Sequence, residues 1–430
     1  MTSYDDTTPG RDRSDRSRLR AVLTLGAAGA VAALVVAGAV SAGAGPSGSD
    51  PREGSALVTD WTARTDGQQV LGGEREPGVP TIQRIRHDDV QFTVTVAPAR
   101  PGPNLVRIDA LHVERPAAGR PGAAGHATKP AWVGTSEDSL VKAVPRPGTD
   151  GLWATVDLPE GSGTVLVTHG RWHRVPFAVE TGTDTPDTSL WTGDDGPECV
   201  AAATAEVITG ALPSVCPAAG LKQPDETALL AVVDTLAARG VEELAVEHDP
   251  SARSRQALAA VTARAEDLGV EVVDPAAAPD ERNALLVVSG WADAARSLAE
   301  VTATPLRRQP IRSDGTWLAP WLLSPGVVDS TAGAMVPLDF DIRTPEARDF
   351  SATLATYLPG QSPTSSGFAA WRSQHAQDPL PLALYAASRA AYMPSQRGHE
   401  GHETQVAWFP GGTVTPVGLP LDPSAAAAAR

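Results

Sequence analysis

The sequence Asn283-Ala-Leu-Leu-Val-Val-Ser-Gly290 has the clearest buried-strand pattern in this chain of 430 residues. A short apolar run that ends at small turn residues is typical of a strand covered on both faces. Other strands and helices alternate on both sides of it. They are a helix from Asp225 to Gly240, a strand at 244–248, a helix at 251–268, a strand at 270–273, the strand at 284–289, a helix at 292–301 and a strand near 310–312. Such alternation predicts right-handed crossovers and a parallel sheet.

Polar side chains follow three of these predicted strands. They are His248 and Asp249 after the first, Ser289 and Trp291 after the third, and Asp314 after the last. Ligands bind outside the carboxyl ends of the strands in an open parallel sheet. The five residues therefore predict a binding site for a small polar ligand with a tryptophan wall. In the alternative interpretation, His248 and Asp249 cap the following helix, Ser289 starts a turn and Trp291 packs in the core.

Residues 89–181 have the pattern of a small antiparallel β-domain. Val90-Gln-Phe-Thr-Val-Thr-Val96 alternates apolar and polar residues with a period of two. Further strands are predicted at 105–113, 153–158, 164–168 and 173–179. Short strands separated by turns predict an immunoglobulin-like β-sandwich here.

Two segments of this β-domain carry a family resemblance. Val94-Thr-Val-Ala-Pro-Ala-Arg-Pro-Gly-Pro-Asn104 resembles the first hairpin of YtkA-like and CopD carboxy-terminal domains. Gly151-Leu-Trp-Ala-Thr-Val-Asp-Leu-Pro159 and Gly163-Thr-Val-Leu-Val167 resemble their last strands. The resemblance implies an extracytoplasmic domain of a copper-handling protein. Copper sites of that compartment usually use Met and His, whereas the Met residues of this chain are at positions 1, 335 and 393, outside the domain.

The α/β part of the chain carries a second resemblance. Gly240-Val-Glu-Glu-Leu-Ala-Val-Glu-His-Asp-Pro-Ser251, Leu268-Gly-Val-Glu-Val-Val273 and residues 283–290 are similar to strands of the carboxy-terminal lobe of type I periplasmic binding proteins, the branched-chain amino-acid binding class. Residues 333–338 and 344–350 resemble the segment that returns to the first lobe. The resemblance implies a non-catalytic solute-binding fold. Since few residues precede the helix at Asp225, the first lobe is expected to be shortened.

The start of the chain carries an arginine-rich run at 11–20 and then 25 residues, 21–45, without a charged side chain. A run of that length spans a bilayer, and a basic flank stays on the cytoplasmic side. We therefore expect a single-pass transmembrane helix at 21–45, a cytoplasmic amino terminus and an extracytoplasmic remainder. The alternative is a cleaved signal peptide, because Ala42-Gly43-Ala44 fits the small-x-small cleavage pattern.

The predicted fold class is multi-domain α+β. Its parts are a cytoplasmic disordered tail at 1–20, the transmembrane helix at 21–45, a linker with a poorly readable segment at 46–88, the immunoglobulin-like domain at 89–181, a linker at 182–197, the α/β domain at 198–423 and a disordered tail at 424–430. The chain has an even number of cysteines, Cys199 and Cys216, and it is expected outside the cytoplasm. Together these facts predict a disulfide. A metal or redox pair is the alternative, although no CxxC spacing is present.

Sequence motifs for catalysis and for cofactor binding are absent. The chain contains no Walker loop, GxSxG or EF-hand sequence. His399 and His402 have a spacing of three instead of the four of HExxH, so a solvated loop is favoured over a metal site. His169 and His173 flank a turn, and a metal site there is again the less favoured interpretation.

Together these patterns favour a solute-binding or sensing module of the cell envelope that is not an enzyme and has no cofactor. Its expected partners are a small polar solute, the membrane through the amino-terminal helix, and an envelope protein. The net charge of −16 argues against nucleic acid. The alternatives are a copper-handling accessory protein and a degenerate binding fold that serves protein–protein contacts.

Overall fold

The structure, a computed structural model, describes residues 68–71, 76–87, 90–112, 125–126, 130–169, 173–211, 215–375, 380–389, 408 and 412–421. All the described residues belong to one compact unit. The predicted transmembrane helix, the candidate metal residues His399 and His402, and both predicted disordered tails lie outside the described residues. Of the helices within the described ranges, none is long and apolar enough to cross a bilayer.

Two antiparallel sheets make up the first half of the described chain. The first sheet contains β1 (Gln68–Leu71), β2 (Thr81–His87), β3 (Val90–Ala97), β4 (Gly102–His112) and β5 (Gly125–His126) in that order, and β8 (Leu152–Leu158) also pairs with β4. The second sheet contains β6 (Ala131–Gly134), β7 (Val141–Ala143), β9 (Ser162–His169) and β10 (His173–Glu180) in the order β10-β9-β6-β7.

The two antiparallel sheets share one hydrophobic core. Phe92, Val94 and Val106 of the first sheet and Val167 and Phe177 of the second are buried in the same cluster. These side chains belong to strands that were predicted from their period-two alternation. The alternation exists because one face of each strand is turned toward the other sheet.

Strands β1 and β2 lie in the segment that was poorly readable from the sequence. In β2, the polar residues Thr81 and Gln83 are 4% and 1% exposed, beside the apolar Ile82 and Ile85. The Gln83 side chain donates a hydrogen bond to the carbonyl of Ala178 in β10. Since polar residues occupy buried positions, the strand lacks the apolar–polar alternation by which it would be predicted.

A mixed sheet with helices makes up the second half. Its elements are α1 (Ser189–Thr192), α2 (Gly196–Ile208), α3 (Gln223–Arg239), β11 (Glu243–Glu247), α4 (Ala252–Leu268), β12 (Glu271–Val273), β13 (Asn283–Val287), α5 (Trp291–Ala303), β14 (Thr316–Leu318), α6 (Pro325–Val328), β15 (Ala334–Leu338), α7 (Pro345–Tyr357), α8 (Ser365–Ser373), β16 (Ala383–Arg389) and β17 (Gly412–Pro420). Short 3-10 helices lie at Glu137–Ser139, Pro217–Ala219, Leu306–Arg308 and Pro320–Leu322.

The seven strands of this sheet have the order β12-β11-β13-β14-β15-β16-β17. The first five are parallel, as predicted, and the last two are antiparallel. The chain leaves β11 toward β12 on one side and continues from β13 toward β14 on the other. The strand order therefore reverses between β11 and β13, which makes their carboxyl ends the topological switch point of the sheet.

Several elements differ from the prediction. Helix α3 begins at Gln223, before Asp225, because Pro224 fits the first helical turn. No strand lies at 310–312, since β14 begins only at Thr316. Residues 189–192 and 196–197, within the predicted linker, are helical, and Trp191 packs against Leu105, Trp153 and Val200. A tryptophan with these neighbours anchors the segment between the two halves.

The two antiparallel sheets and the mixed sheet are in direct contact through loop 144–150. The Gly148 carbonyl accepts a hydrogen bond from Ser324 Oγ at 3.0 Å. Arg146 Nη1 donates to the Gly193 carbonyl at 2.7 Å. Gly326 lies so close to this loop that a Cβ atom there would be 2.4 Å from the carbonyl carbon of Gly148. The two halves therefore meet backbone to backbone at this point.

The predicted disulfide is confirmed. Cys199 of α2 is bonded to Cys216, with an S–S distance of 2.00 Å and a sequence separation of 17. Both residues are buried beside Leu190 and Trp191. Closure of a loop of this length contributes about 3 kcal/mol in the chain-entropy model.

Candidate functional site

The switch point brings the ends of β11 and β13 side by side. Glu247 and Val287, the last residues of the two strands, are paired in register. The chain then continues into loops 248–251 and 288–290, which lead to the amino termini of α4 and α5. Four of the five predicted ligand residues, His248, Asp249, Ser289 and Trp291, lie in or directly after these loops.

Asp249 connects the two loops. Its Oδ1 accepts a hydrogen bond from the Ser251 amide at 2.7 Å, and its Oδ2 accepts one from the Gly290 amide at 2.5 Å. Its own amide donates to Ser254 Oγ at 2.9 Å. A carboxylate is well placed at this point because amide donors at helix amino termini carry partial positive charge. Asp249 thus holds α4 and α5 at fixed positions around the switch point.

Asp195 brings a third helix to the same place. It directly precedes α2, and its Oδ1 accepts a hydrogen bond from the Trp291 amide at 3.1 Å. The carboxylate is so close to Gly290 that a Cβ atom on this residue would be 1.9 Å from Asp195 Oδ1. Only glycine at position 290 leaves room for the Asp195 side chain.

A buried ion pair lies behind the loops. Arg253 of α4 donates two hydrogen bonds, of 2.7 and 2.6 Å, to the carboxylate of Glu198 in α2. Both side chains are almost completely buried. Ser366 also donates to Glu198, and the Arg253 guanidinium lies 4.5 Å from the ring centre of Trp321. A buried pair of this kind needs every donor and acceptor satisfied, and these contacts supply the partners.

Acidic groups outnumber basic groups in this region. Burial, together with the negative charge of Glu198, raises the pKa of Asp195 to about 7, although Arg253 opposes this. Burial raises the pKa of Asp225 to about 6, with Arg253 again acting in the opposite direction. The single guanidinium of Arg253 therefore faces several carboxyl groups that compete for it.

An open cleft of about 200 Å³ lies at the switch point. It is lined by Ser189, Leu190, Gly193, Asp194, Asp195, Asp249, Pro250, Ser251, Ala292 and Asp293. Segment 189–195 forms one wall, and the starts of α4 and α5 form the other. None of these lining residues is basic. The cleft can therefore accept hydrogen-bond donors and positive charge, and it offers no side-chain cation to an anion.

The predicted ligand residues have different environments. Asp249 lines the cleft, whereas His248 is exposed and outside it. Ser289 is 1% exposed, and its Oγ lies 3.5 Å from a carboxylate oxygen of Glu247. Trp291 is 2% exposed, and its Nε1 donates to the Trp321 carbonyl at 2.7 Å. The Trp291 side chain is therefore packed in the interior, as the alternative interpretation of the sequence expected. It forms no wall of this cleft.

Asp314 is separated from the other predicted residues. It precedes β14, and its amide donates to the carbonyl of Asn283, the first residue of β13, at 3.0 Å. This places it at the amino edge of the sheet, opposite the switch point. Its carboxylate accepts a hydrogen bond from Arg239 Nε at 2.7 Å. The predicted position was wrong because the preceding strand, expected at 310–312, is absent.

Asp194, Asp195 and Asp293 line the cleft and were not among the predicted ligand residues. The first two were read as part of a linker. The run Asp195-Gly-Pro-Glu198 does contain a helix-start pattern, an Asp cap followed by Pro in the first turn. That pattern predicts the start of α2. It does not predict that segment 189–195 forms a wall of the cleft, because the position of this segment depends on tertiary packing.

The described histidines form no metal site. Across the described ranges, no group of three or more His, Cys, Asp or Glu side chains is placed to hold a metal ion. His169 is opposite His173 in the β9–β10 register, but its ring is 1% exposed and packs edge-to-face on Phe92 at 5.3 Å. The ring of His169 is therefore part of the core that the two antiparallel sheets share.

No protein-family model and no curated protein matches this chain. Among solved structures, it is similar to a solute-binding protein of an ABC transporter from R. palustris in complex with benzoate, at 11% identity and a TM-score of 0.28, over 35% of this chain and 46% of that one. An extracellular ligand-binding receptor from Verminephrobacter eiseniae matches at 16% identity and a TM-score of 0.29, over 35% and 48%. An ABC transporter substrate-binding protein from Desulfitobacterium hafniense in complex with Leu matches at 16% identity and a TM-score of 0.25. The match covers 35% of this chain and 47% of that one.

The three proteins are a solute-binding protein, an extracellular ligand-binding receptor and a substrate-binding protein. The matched part of the chain spans less than half the length of each. At these TM-scores the similarities assign no ligand and no function to this chain. The resemblance of residues 94–167 to YtkA-like and CopD domains stays a prediction.

Proposed function

We propose that this chain is a membrane-anchored, extracytoplasmic module that binds a small polar solute without catalysis. The observation that carries the proposal is the open cleft of about 200 Å³ at the topological switch point, the place where open parallel sheets bind ligands. The anchor and the location rest on the basic run at 11–20 and the uncharged run at 21–45.

The lining of the cleft narrows the class of solute. Asp194, Asp195, Asp249 and Asp293 contribute carboxyl groups, and no lysine, arginine or histidine lines the cleft. Both oxygens of Asp249 already accept amide hydrogen bonds, so Asp194, which is exposed, is the acceptor most open to a ligand. The solute is therefore a small molecule with amine or other hydrogen-bond donors.

The two antiparallel sheets have a structural role in this proposal. The chain passes from β4 to β6 and β7 in the other sheet, back to β8, and across again to β9 and β10. This alternation supports an immunoglobulin-like sandwich. Its loop 144–150 holds residues 193 and 324 beside the mixed sheet. We infer that the sandwich is a spacer that supports the wall of the cleft.

Titration calorimetry with the full-length chain in mild detergent tests the proposal. The probes are ethanolamine, putrescine, glycerol and succinate. We expect saturable binding of an amine and none of succinate. Asp194→Asn removes an exposed carboxylate and should weaken amine binding, and Ser189→Trp, at an exposed position on the rim, should block it. At 100 times its dissociation constant, a ligand adds about 2.7 kcal/mol to the unfolding free energy.

Asp157→Asn is the matched control, because Asp157 is an exposed aspartate on β8 away from the cleft. Its amine affinity should equal that of the unmodified chain. If no probe binds saturably, or if Asp194→Asn and Ser189→Trp bind as the control does, the solute-binding function is rejected. The alternative of a degenerate fold that serves protein–protein contacts would then be favoured.

A further inference from the structure

A second cavity, of about 300 Å³, lies beside α5 and shares no lining residue with the switch-point cleft. Leu285 of β13 and Thr316 of β14 line it from the sheet, and Leu298 and Val301 line it from α5. Loop 309–315 and residues 331–333 complete it. Loop 309–315, which precedes the short strand β14, contributes four of the lining residues.

The lining is mostly apolar with a few charged groups. Leu285 and Leu298 are 8% and 4% exposed, while Val301 is 40% exposed at the entrance. Glu247 and Arg312 are the charged residues among those that line the cavity. An apolar space with a small number of placed polar groups is the usual composition of a small-molecule site.

Arg312 lacks the partners that nearby arginines have. Its Nη2 donates to the Pro275 carbonyl at 2.9 Å, but its Nη1 is buried and has no hydrogen-bond partner. By contrast, Arg239 and Arg282 are each paired with a carboxylate. Among the described residues no carboxylate forms an ion pair with Arg312. Arg312 therefore lines the cavity with a guanidinium that has no ion-pair partner among the described residues, and charge-assisted hydrogen bonds make a carboxylate its favoured ligand.

We propose that this cavity binds a small monocarboxylic acid with an apolar body. The carboxylate accepts a hydrogen bond from the Arg312 guanidinium, and the apolar body lies against Leu285, Leu298 and Val301. This site is independent of the switch-point cleft, so either site can fail its test without affecting the other.

Glu247 explains why a single carboxylate is preferred. Its carboxylate accepts a hydrogen bond from Ser297 Oγ at 2.5 Å, and Ser289 Oγ lies 3.5 Å from the same oxygen. These hydroxyl groups fix the acidic side chain at the wall of the cavity. A ligand with a second carboxylate would bring negative charge toward Glu247, which is unfavourable in a partly buried space. The site therefore discriminates against dicarboxylates.

Calorimetric titration of the full-length chain with hexanoate tests this site, with hexan-1-ol and adipate as comparison probes. We expect saturable hexanoate binding and weaker binding of both comparison probes. Arg312→Gln should weaken hexanoate binding by about tenfold or more, because it replaces a charge-assisted hydrogen bond with a neutral one. Val301→Trp, at a partly exposed position, should fill the cavity and abolish binding. Circular dichroism without ligand verifies that each variant is folded.

Arg308→Gln is the matched control, since Arg308 is an exposed arginine four residues away that does not line the cavity. Its hexanoate affinity should be unchanged. The proposal is overturned if the unmodified chain shows no saturable hexanoate binding, if hexan-1-ol binds as tightly as hexanoate, or if folded Arg312→Gln binds hexanoate with unchanged affinity.

Discussion

At the scale of single residues, Asp195 is the side chain whose ionisation opposes folding most directly. Its carboxyl group is mostly withdrawn from water, and the nearest charges include Glu198 and Asp249, which repel it. Its pKa is about 7 in the folded chain, against 3.8 for an ordinary Asp. The folded state therefore holds a proton that the unfolded state has already lost in the pH range between these values.

The unfolding free energy should consequently fall as the pH rises from about 4 to 7. Asp195 contributes up to about 4 kcal/mol to this fall, and Asp225, whose pKa is about 6, contributes in the same direction over the lower part of the range. Asp195→Asn keeps an oxygen that can accept from the Trp291 amide and removes the charge. We expect the variant to be more stable than the unmodified chain at pH 7.5 and similar to it at pH 4.

Urea unfolding at several pH values measures this difference. The control Asp157→Asn changes an exposed aspartate on β8, and its stability relative to the unmodified chain should not vary with pH. A stability difference between Asp195→Asn and the unmodified chain that is the same at pH 4 and pH 7.5 would contradict the assignment of a raised pKa to Asp195.

Local sequence predicted some site residues and could not predict others. Asp249 was a candidate because it follows a recognisable strand, and it lines the cleft. Asp194 and Asp195 follow no strand. They precede a helix that is bonded to Cys216 through Cys199 and joined to α4 by the Glu198–Arg253 pair. Their position depends on contacts between residues far apart in sequence, and periodicity contains no such information.

At the scale of elements, prediction depended on the strength of the local pattern. β13 was predicted because five apolar or small residues are buried in succession, and α4 because Ser251 caps it and Gly269 ends it with a φ of 72°. β14 was misplaced because it has only three residues and is positioned by its parallel neighbours. β2 could not be predicted because the polar Gln83 is buried in it, where its side chain donates a hydrogen bond to a carbonyl of the other sheet.

Helix α8 offers an element-scale prediction at its amino-terminal cap. Thr364 Oγ1 accepts a hydrogen bond from the Gly367 amide at 3.0 Å, and the residue is 7% exposed. Thr364→Ala leaves that amide without an acceptor. We expect a loss of about 1–2 kcal/mol in unfolding free energy, measured by chemical denaturation.

Thr364→Ser is the paired control, because serine keeps the hydroxyl group and loses only a methyl group. It should retain most of the stability of the unmodified chain. Equal losses for the alanine and serine variants would show that methyl packing, and not the cap, stabilises the start of α8.

At the scale of the whole molecule, a single substitution can test the contact between the two antiparallel sheets and the mixed sheet. A Cβ atom at position 326 would lie 2.4 Å from the carbonyl carbon of Gly148 and 2.5 Å from the amide nitrogen of Thr149. These are backbone atoms, so a side-chain rotation cannot relieve the overlap. We expect Gly326→Ala to cost about 1–3 kcal/mol of unfolding free energy.

Hydrogen exchange locates the damage. Amides in loop 144–150 and around α6 should exchange faster together in Gly326→Ala, since one contact holds both. Gly163→Ala on β9 is the control, because its Cβ would meet Pro159 at an ordinary 3.6 Å. Faster exchange confined to α6, with loop 144–150 unchanged, would contradict a shared contact.

The short edge strand β12 has a consequence for self-association. A long exposed edge strand is a template onto which strands of other molecules add, and such addition leads to aggregation. β12 has three residues, its first residue Glu271 is exposed and charged, and Pro275 follows two positions after its end. Proline has no amide hydrogen to continue a ladder, and carboxylates on adjoining copies repel each other. At this edge the mixed sheet is protected against growth into intermolecular β-structure, even when the chain is crowded with copies of itself.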